Sequence, residues 1–335
     1  MLKLVWLFTP QIFYCNLLMT VRKLSKQFLS LPVYYILRDL YASAKDVKGF
    51  FLVRREYTNF SFVKNLAGVL RMFLSPQKTI LCYPGRPSSY HVIYKLCALC
   101  GYKISINPHK KCDAVFWSHS STFPDRSDVQ SFLERGEKVI NSNCTNLSKE
   151  LVGSCFEEIF GYSLDVDPTN YRGSIVKKSI YNGTNFATTI EGPISEEDLH
   201  EEHVYQKEIK NQSEFDDLTV VYRVPVYAGR IPVVFLKYRP YEFQFTGYYE
   251  KVDLKKAGDI FSEDERSKIL EMNKKMGIDY GECDVLRDSD GRIYVVDVNS
   301  HPGGPPRKMS HNQKVKASKV LIPDFKNLAE KFSNE

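Results

Sequence analysis

The chain has 335 residues, of which 43% are hydrophobic and 26% are charged, and its formal net charge is +6. This length predicts about two domains, and this composition is typical of globular proteins that bury a core. The charge is mild, with no run of five or six like charges, so the sequence argues against a nucleic-acid-binding protein. The eight cysteines are scattered. We therefore expect no disulfide framework and a cytoplasmic protein.

Residues 1–76 are expected to form a helical segment. The apolar run at residues 4–21 is about long enough to span a bilayer. Pro10, Gln11 and Asn16 interrupt it, however, and no small-residue cleavage site follows. We therefore expect a helix that docks on the protein or lies on a membrane surface as a peripheral contact, and a membrane span or signal segment is the less favoured interpretation.

Residues 77–145 are predicted to form a small α/β domain. Short apolar segments typical of strands alternate there with amphipathic helical segments, which favours a parallel sheet with crossover helices. Cys97 and Cys100 have the spacing of half a zinc site, but no second such pair follows and both lie on an apolar helix. We expect these two cysteines to pack in the core.

From residue 146 onward, one helix is followed by mainly β segments. Ala228 and Gly229 are predicted to form the turn of a hairpin, and residues 262–277 are predicted to form a second helix that starts with a capping box. Residues 311–335 are expected to be a basic tail. Neither GxxxxGK[ST] nor GxGxxG occurs, so the common phosphate-binding loops are absent from the sequence.

The segment ECDVLRDSDGRIYVVDVNSHPGGP, Glu282–Pro305, predicts two strands joined by a turn. Asp297 and Asn299 lie two residues apart on the second strand, so both point to one face. Asp284 lies on the first strand, and like charges that face each other across strands are destabilising unless something compensates them. Two carboxylates and one amide oxygen are hard donors that suit Mg²⁺. An exposed polar hairpin is the alternative interpretation.

Four cations upstream of this hairpin predict a site for phosphate groups. Lys177 lies on a strand that leads into a loop with small residues, and Lys149 lies at the start of the preceding helix. Arg223 and Arg239 lie on neighbouring β segments. Each of these residues alone is typical of a surface side chain. Together with an oxygen-donor metal site they indicate an ATP site.

The hairpin closely resembles the closing hairpin of the ATP-grasp superfamily, as in D-alanine–D-alanine ligases and ribosomal-S6-type glutamate ligases. The resemblance covers about residues 77–310. It implies an α/β (α+β) fold, in which an ATP-grasp domain at residues 146–310 follows a small parallel α/β domain and the N-terminal helical segment. The hinge between the two halves of the ATP-grasp domain would lie near residues 206–209.

The resemblance implies that Asp284, Asp297 and Asn299 bind Mg²⁺, with Mn²⁺ as an alternative ion. Asp297 stands where the family usually has a glutamate, so its side chain is shorter by one methylene group. Lys149 and Lys177 would contact the ATP phosphates, and Lys178 is the alternative to Lys177.

The resemblance also implies the groups that bind the rest of the nucleotide. The backbone from Lys207 to Ile209 would bind the adenine edge, with Gln206 nearby. The acid that binds the ribose is left open among three residues, Glu214, Asp216 and Asp217.

One departure from the family concerns the charge at the reacting phosphate. Arg239 resembles the arginine that approaches the transferred phosphate. D-alanine ligases carry a further arginine two residues before the first metal carboxylate, and Glu282 occupies that place here. Arg223, Arg239 or the metals would therefore have to neutralise the charge of the transition state.

The implied reaction is that of a ligase. A substrate carboxylate attacks the γ-phosphorus of ATP to give an acyl phosphate, and an amine or another nucleophile then displaces phosphate. The expected partners are small carboxylate and amine substrates, whose identities the sequence does not specify. A kinase that phosphorylates a hydroxyl group and a non-catalytic ATP-binding protein are the alternatives.

Overall fold

The computed structural model describes residues 31–59, 61–184, 187–211, 213, 215 and 217–334. The apolar run at residues 4–21 lies outside this part of the chain. Two helices come first in the described part: α1 (Leu31–Tyr57) and α2 (Phe62–Leu74). Within the described ranges, no helix combines the length and the apolar character that a membrane crossing requires.

The next part of the chain forms a four-stranded parallel sheet, as the sequence predicted. The strand order is β2-β1-β3-β4, and every pairing in it is parallel. Cys97 and Cys100 are buried in its core. The elements are β1 (Thr79–Pro84), α3 (Val92–Cys100), β2 (Lys103–Ser105), β3 (Ala114–Ser118), α4 (Ser127–Glu134) and β4 (Val139–Ile140).

A helix and a three-stranded antiparallel sheet of order β6-β5-β7 follow. The helix begins after Ser148, whose side chain accepts a hydrogen bond from the backbone of Leu151, and it ends at Gly161 in the left-handed conformation. The elements are α5 (Lys149–Phe160), β5 (Gly173–Ser179), β6 (Ala187–Gly192) and β7 (His203–Lys207).

A five-stranded antiparallel sheet of order β10-β9-β8-β11-β12 completes the predicted mixed α/β fold. The turn between β8 and β9 has positive φ at Ala228 and Gly229, as expected for a tight hairpin. Helices α5 and α6 pack against this sheet and share its apolar core. The elements are β8 (Leu218–Tyr227), β9 (Val234–Pro240), β10 (Lys251–Lys255), α6 (Glu263–Lys275), β11 (Tyr280–Arg287) and β12 (Ile293–Asn299).

The C-terminal segment is a helix rather than the expected basic tail. Helix α7 (His311–Lys331) starts with a capping box formed by Ser310 and Gln313. Lys316, Lys319 and Lys331 are exposed, whereas Leu321, Phe325 and Leu328 are buried among side chains of α1 and α3. The apolar residues are spaced at helical intervals, and the high content of lysine hides this pattern in the sequence.

Asn141 joins the parallel sheet to the five-stranded sheet. It follows β4, is fully buried and has a φ of 65°. Its side-chain oxygen accepts hydrogen bonds from the backbone amides of Asp279 (2.8 Å) and Tyr280 (2.9 Å), and its amide group donates to the carbonyl of Tyr280 (2.8 Å). One side chain therefore fixes the start of β11 relative to the small domain.

We predict that Asn141→Ala lowers the free energy of unfolding by about 2–4 kcal/mol, because two buried backbone donors lose their acceptor. Chemical denaturation measures this change. Asn143→Ala is the matched control, since Asn143 is exposed nearby, and it should change the stability by less than about 0.5 kcal/mol. Equal effects of the two substitutions would contradict the role of Asn141.

Candidate active site

A cavity of about 720 Å³ is lined by both antiparallel sheets and by the segment after β12. Six of its lining residues are cationic and two are aspartates. The aspartates are Asp284 and Asp297; the cations are Lys149, Lys178, Arg223, Lys237, Arg239 and Arg307. The excess of positive charge favours an anionic ligand.

The two aspartates face each other directly across the β11–β12 pair. Asp284 pairs with Asp297, and Glu282 pairs with Asn299. A bulge between Asp284 and Val285 shifts the register just beyond the acidic pair. Asp284, Asp297 and Asn299 all line the cavity. The strand alternation therefore places the predicted oxygen donors together, as expected from the sequence.

Two cations compensate the negative charge of the pair. Arg223 lies opposite Asp284 on β8, and its Nε and Nη2 donate to the two carboxylate oxygens at 3.0 and 3.3 Å. The same Nε lies 2.7 Å from Oε1 of Glu282. The Lys149 Nζ lies 3.5 Å from Oδ1 of Asp297. Arg223, expected to stabilise a transferred phosphate, is thus engaged by two carboxylates.

The pKa values of these acids show the competition between burial and charge. Burial raises the pKa of Asp284, but Arg223 and Lys237 outweigh it, so the pKa is lowered overall. Burial raises the pKa of Glu282 to about 7 despite the nearby Arg223. Asp284 is therefore ionised at neutral pH, whereas Glu282 titrates close to neutral pH.

The structure brings Lys178, not Lys177, to the cavity. Lys178 lines it, and its Nζ donates to Oε1 of Gln206 at 2.9 Å. Burial, together with the positive charge of Lys149, lowers the pKa of Lys178 to about 8. The Lys177 Nζ lies 5.9 Å from the ring centroid of Tyr205 instead. Consecutive strand residues point to opposite faces, so the preference for Lys177 is corrected to its alternative.

Strand β9 contributes two buried cations, Lys237 and Arg239. Arg239 donates from Nη1 to the carbonyls of Gln244 (2.9 Å) and Thr246 (2.7 Å), and so fastens the loop after β9. Its Nε is buried without a hydrogen-bond partner. Burial, and then the charge of Arg223, lowers the pKa of Lys237 to about 8. Lys237 was not predicted as a site residue, although it lies two residues from Arg239 on one strand and therefore on the same face.

The donors fit a divalent ion only in combination with ligand oxygens. Among the described residues, no group of three or more His, Cys, Asp or Glu side chains could hold a metal ion. Oδ1 of Asp297 is buried without a hydrogen-bond donor. The Asn299 amide nitrogen donates to the other oxygen of Asp297 at 3.0 Å, which leaves the amide oxygen of Asn299 for a cation. Mg²⁺ commonly uses one or two carboxylates and completes its shell with phosphates and water.

The predicted hinge residues lie beside the cavity rather than on its lining. Gln206 is buried and bridges Lys178 to Asp165, to which it donates at 2.9 Å. The backbone amide of Lys207 donates to the carbonyl of Leu164 at 3.0 Å, so it is not available to an adenine edge. Ile209 is buried. Asn211, which the sequence analysis did not select, lines the cavity instead.

The candidate ribose acids are only partly described. Glu214 and Asp216 lie outside the described residues. Asp217 is exposed, has a φ of 65° and is absent from the cavity lining.

The Pro-Gly corner after β12 rests on the small α/β domain. The backbone amide of Val92 donates to the carbonyl of Pro302 at 3.0 Å, and the Lys95 Nζ donates to the carbonyl of Gly304. A Cβ at Gly303 would clash with the ring of Tyr90. The close approach of Tyr90 therefore leaves no room for a side chain at residue 303 unless this ring moves.

His301 lines the cavity beside this corner. Its ring centroid lies 4.0 Å from that of His91 and 5.7 Å from that of Phe116. Burial, followed by the neighbouring His91 and His119, lowers the pKa of His301 to about 3. The imidazole is therefore neutral at physiological pH.

Comparison with known proteins gives matches among solved structures alone. No protein-family model matches the chain, and no curated protein matches it. The ATP-grasp ligase PsnB, complexed with a phosphomimetic variant of a minimal precursor, Mg and ADP, is 14% identical with a TM-score of 0.40. That match covers 59% of this chain and 65% of PsnB, so this chain spans slightly less than two thirds of the length of that protein.

Two further matches extend over most of both chains. D-alanine–D-alanine ligase from Bacillus anthracis, complexed with ATP, is 14% identical over 76% of this chain and 98% of that one, with a TM-score of 0.47. A RiPP-associated ATP-grasp ligase from Chryseobacterium gregarium, complexed with ADP and a leader and core peptide, is 13% identical with a TM-score of 0.44. This match covers 74% of this chain and 97% of that one. These are ATP-grasp ligases, the group that the hairpin motif resembles.

We predict that Lys178→Ala weakens the binding of Mg²⁺-ATP, and slows any turnover on the order of 10²-fold, because one half-buried charge that lines the cavity is lost. Isothermal titration calorimetry measures the binding. Lys177→Ala is the matched control, since it removes the same charge from the opposite face of β5 and should change affinity less than about threefold. The reverse result would restore Lys177 as the phosphate contact.

Proposed function

We propose that the protein is an ATP- and Mg²⁺-dependent ligase that activates a carboxylate as an acyl phosphate and joins it to an amine. The observation that carries this proposal is the facing pair of Asp284 and Asp297 within a ring of cations. The cavity of about 720 Å³ is of the size that a nucleotide and a small second substrate require. Two acids alone would repel a polyphosphate, and the cations alone would leave no donors for Mg²⁺.

The cations divide into two groups according to the partners that hold them. Lys149 and Arg223 are paired with the aspartates. Lys178 and Lys237 have no ion pair within 4 Å among the described residues, and burial lowers the pKa of each to about 8. A bound anion would stabilise the protonated form of both lysines and raise these pKa values, so these two lysines are the best candidates for the direct phosphate contacts.

Bound Mg²⁺ would neutralise the β- and γ-oxygens of ATP and polarise the γ-phosphorus. Asp284, Asp297 and the amide oxygen of Asn299 are the residues that would hold it. Arg239 lies on the same face as Lys237 and carries a buried Nε without a hydrogen-bond partner. This group would orient the γ-phosphate, while Nη1 keeps the loop after β9 in place.

The acid substrate would enter beside the Pro-Gly corner. Arg307 lies there on the cavity lining, with its guanidinium group 5.0 Å from the ring centroid of Tyr90. Its backbone amide donates to the Tyr249 hydroxyl at 2.7 Å. A carboxylate held at this end would attack the γ-phosphorus and release ADP. The amine would then attack the acyl carbon and release phosphate.

We predict that the protein forms a hydroxamate when it is incubated with ATP, Mg²⁺, hydroxylamine and a pool of small carboxylic acids. An acyl phosphate reacts with hydroxylamine, so the product should depend on both ATP and the acid, and ADP should be released in equal amount. Coupled detection of ADP and the ferric-hydroxamate colour measure these products. Release of AMP and pyrophosphate would contradict transfer of the γ-phosphate. A phosphorylated alcohol without hydroxamate would establish a kinase instead.

We predict that Asp297→Asn lowers the Mg²⁺-dependent turnover on the order of 10²–10³-fold and shifts the Mg²⁺ requirement upward, because a charged metal donor becomes a neutral one. A Mg²⁺ titration of ADP release measures both effects. Asp290→Asn makes the same change in the exposed turn of the same hairpin, and it should leave the titration unchanged. An unchanged Mg²⁺ titration for Asp297→Asn would remove this residue from the metal site.

A further inference from the structure

Helix α2 has an apolar face that is directed away from the body of the protein. Val63, Ala67, Leu70 and Leu74 follow each other at intervals of four, three and four residues, so they form one stripe. All four are exposed, with Val63 at 74%, Leu70 at 47% and Leu74 at 87%. The opposite side of the helix is anchored in the protein by Val69, which is 1% exposed. The exposed stripe is therefore not the side that holds the helix in the fold.

The N-terminal half of α1 adds a second apolar stripe. Val33, Ile36, Leu37 and Leu40 follow helical spacing and are 40–61% exposed. These residues come shortly after the apolar run at residues 4–21, which lies outside the described part of the chain. Large apolar residues thus accumulate on the surface of the helical N-terminal part, whereas single exposed ones are ordinary elsewhere.

Positive charge is concentrated in the same part of the chain. Residues 1–75 contain 11 Lys and Arg residues against 3 Asp and Glu residues, while the remaining 260 residues contain 35 and 37. The net positive charge of the protein therefore comes entirely from its N-terminal part. Helix α2 has no acidic residue, and its Lys64 and Arg71 are exposed at one edge of the apolar stripe.

We propose that the exposed face of α1 and α2 docks on an anionic phospholipid surface. An amphipathic helix with an apolar stripe and basic flanks lies in the interface, with the stripe at the acyl boundary and the cations at the head groups. A second copy of this chain fits this surface less well, because its N-terminal part would bring the same excess of positive charge.

Sedimentation of the full-length protein with lipid vesicles tests this proposal. The probes are vesicles of phosphatidylcholine alone and vesicles with about 30% phosphatidylglycerol, the latter carrying the anionic surface. We expect binding to the anionic vesicles, weaker binding to the neutral ones, and a loss of binding when salt is raised to about 0.5 M.

The double variant Leu70→Glu/Leu74→Glu should lower the partition coefficient by about tenfold or more, since two leucines no longer enter the apolar layer. Leu199→Glu/Val320→Glu is the matched control. Leu199 and Val320 are 40% and 37% exposed outside α1 and α2, and their change adds the same charge without touching the stripe. This control should bind as the natural protein does. Thermal unfolding by circular dichroism checks that both variants remain folded.

Three results would overturn the proposal. The first is no binding to anionic vesicles. The second is equal binding of the Leu70/Leu74 variant and the natural protein, which would assign the contact to another part of the chain. The third is a lipid-free dimer that the same variant dissociates in sedimentation velocity, which would make the stripe an interface between two copies.

Discussion

The facing carboxylates of Asp284 and Asp297 impose the constraint on which the rest of the cavity depends. Two like charges at directly opposed strand positions destabilise a sheet unless cations compensate them. Arg223 comes from the neighbouring strand β8 and Lys149 from helix α5, so the compensation ties two further elements to the β11–β12 pair. A buried pair of this kind is costly to break, because removing one partner leaves an unpaired charge. Any cation or anion that binds in the cavity changes the balance between these carboxylates and the cations that pair with them.

Hydrogen bonds between side chains beside the cavity connect the two antiparallel sheets. Lys178 reaches the cavity from β5 and is held by Gln206 on β7. The Nζ of Lys207 donates to the Tyr294 hydroxyl on β12 at 3.0 Å, which links the small sheet to the large one. Glu208 accepts hydrogen bonds from the side chains of Tyr241 and Gln244, and so holds the loop that Arg239 fastens from the other side.

The small α/β domain holds the acidic hairpin in position beside the cavity. Asn141 fixes the start of β11, and Lys95 fixes the corner after β12, so both ends of the acidic hairpin are held by that domain. Tyr90 fills the space that Gly303 leaves open. The positions of Asp284 and Asp297 therefore depend on contacts far along the chain, and substitutions in the small domain should affect the site without touching a ligand.

The sequence by itself determined the local patterns: the alternation of strands and helices, the capping box at Ser262 and the single face shared by Asp297 and Asn299. These depend on periodicities of two and 3.6 residues, which a sequence displays directly. The tertiary structure decided which of Lys177 and Lys178 faces the cavity, because a shift of one residue reverses every side chain of a strand. The tertiary structure also pairs Arg223 with Glu282 and Asp284, and residues 311–331 form a helix. The Ser310 capping box and the helical spacing of Leu321, Phe325 and Leu328 are present in the sequence, but only the burial of this stripe against α1 and α3 shows that it belongs to the core.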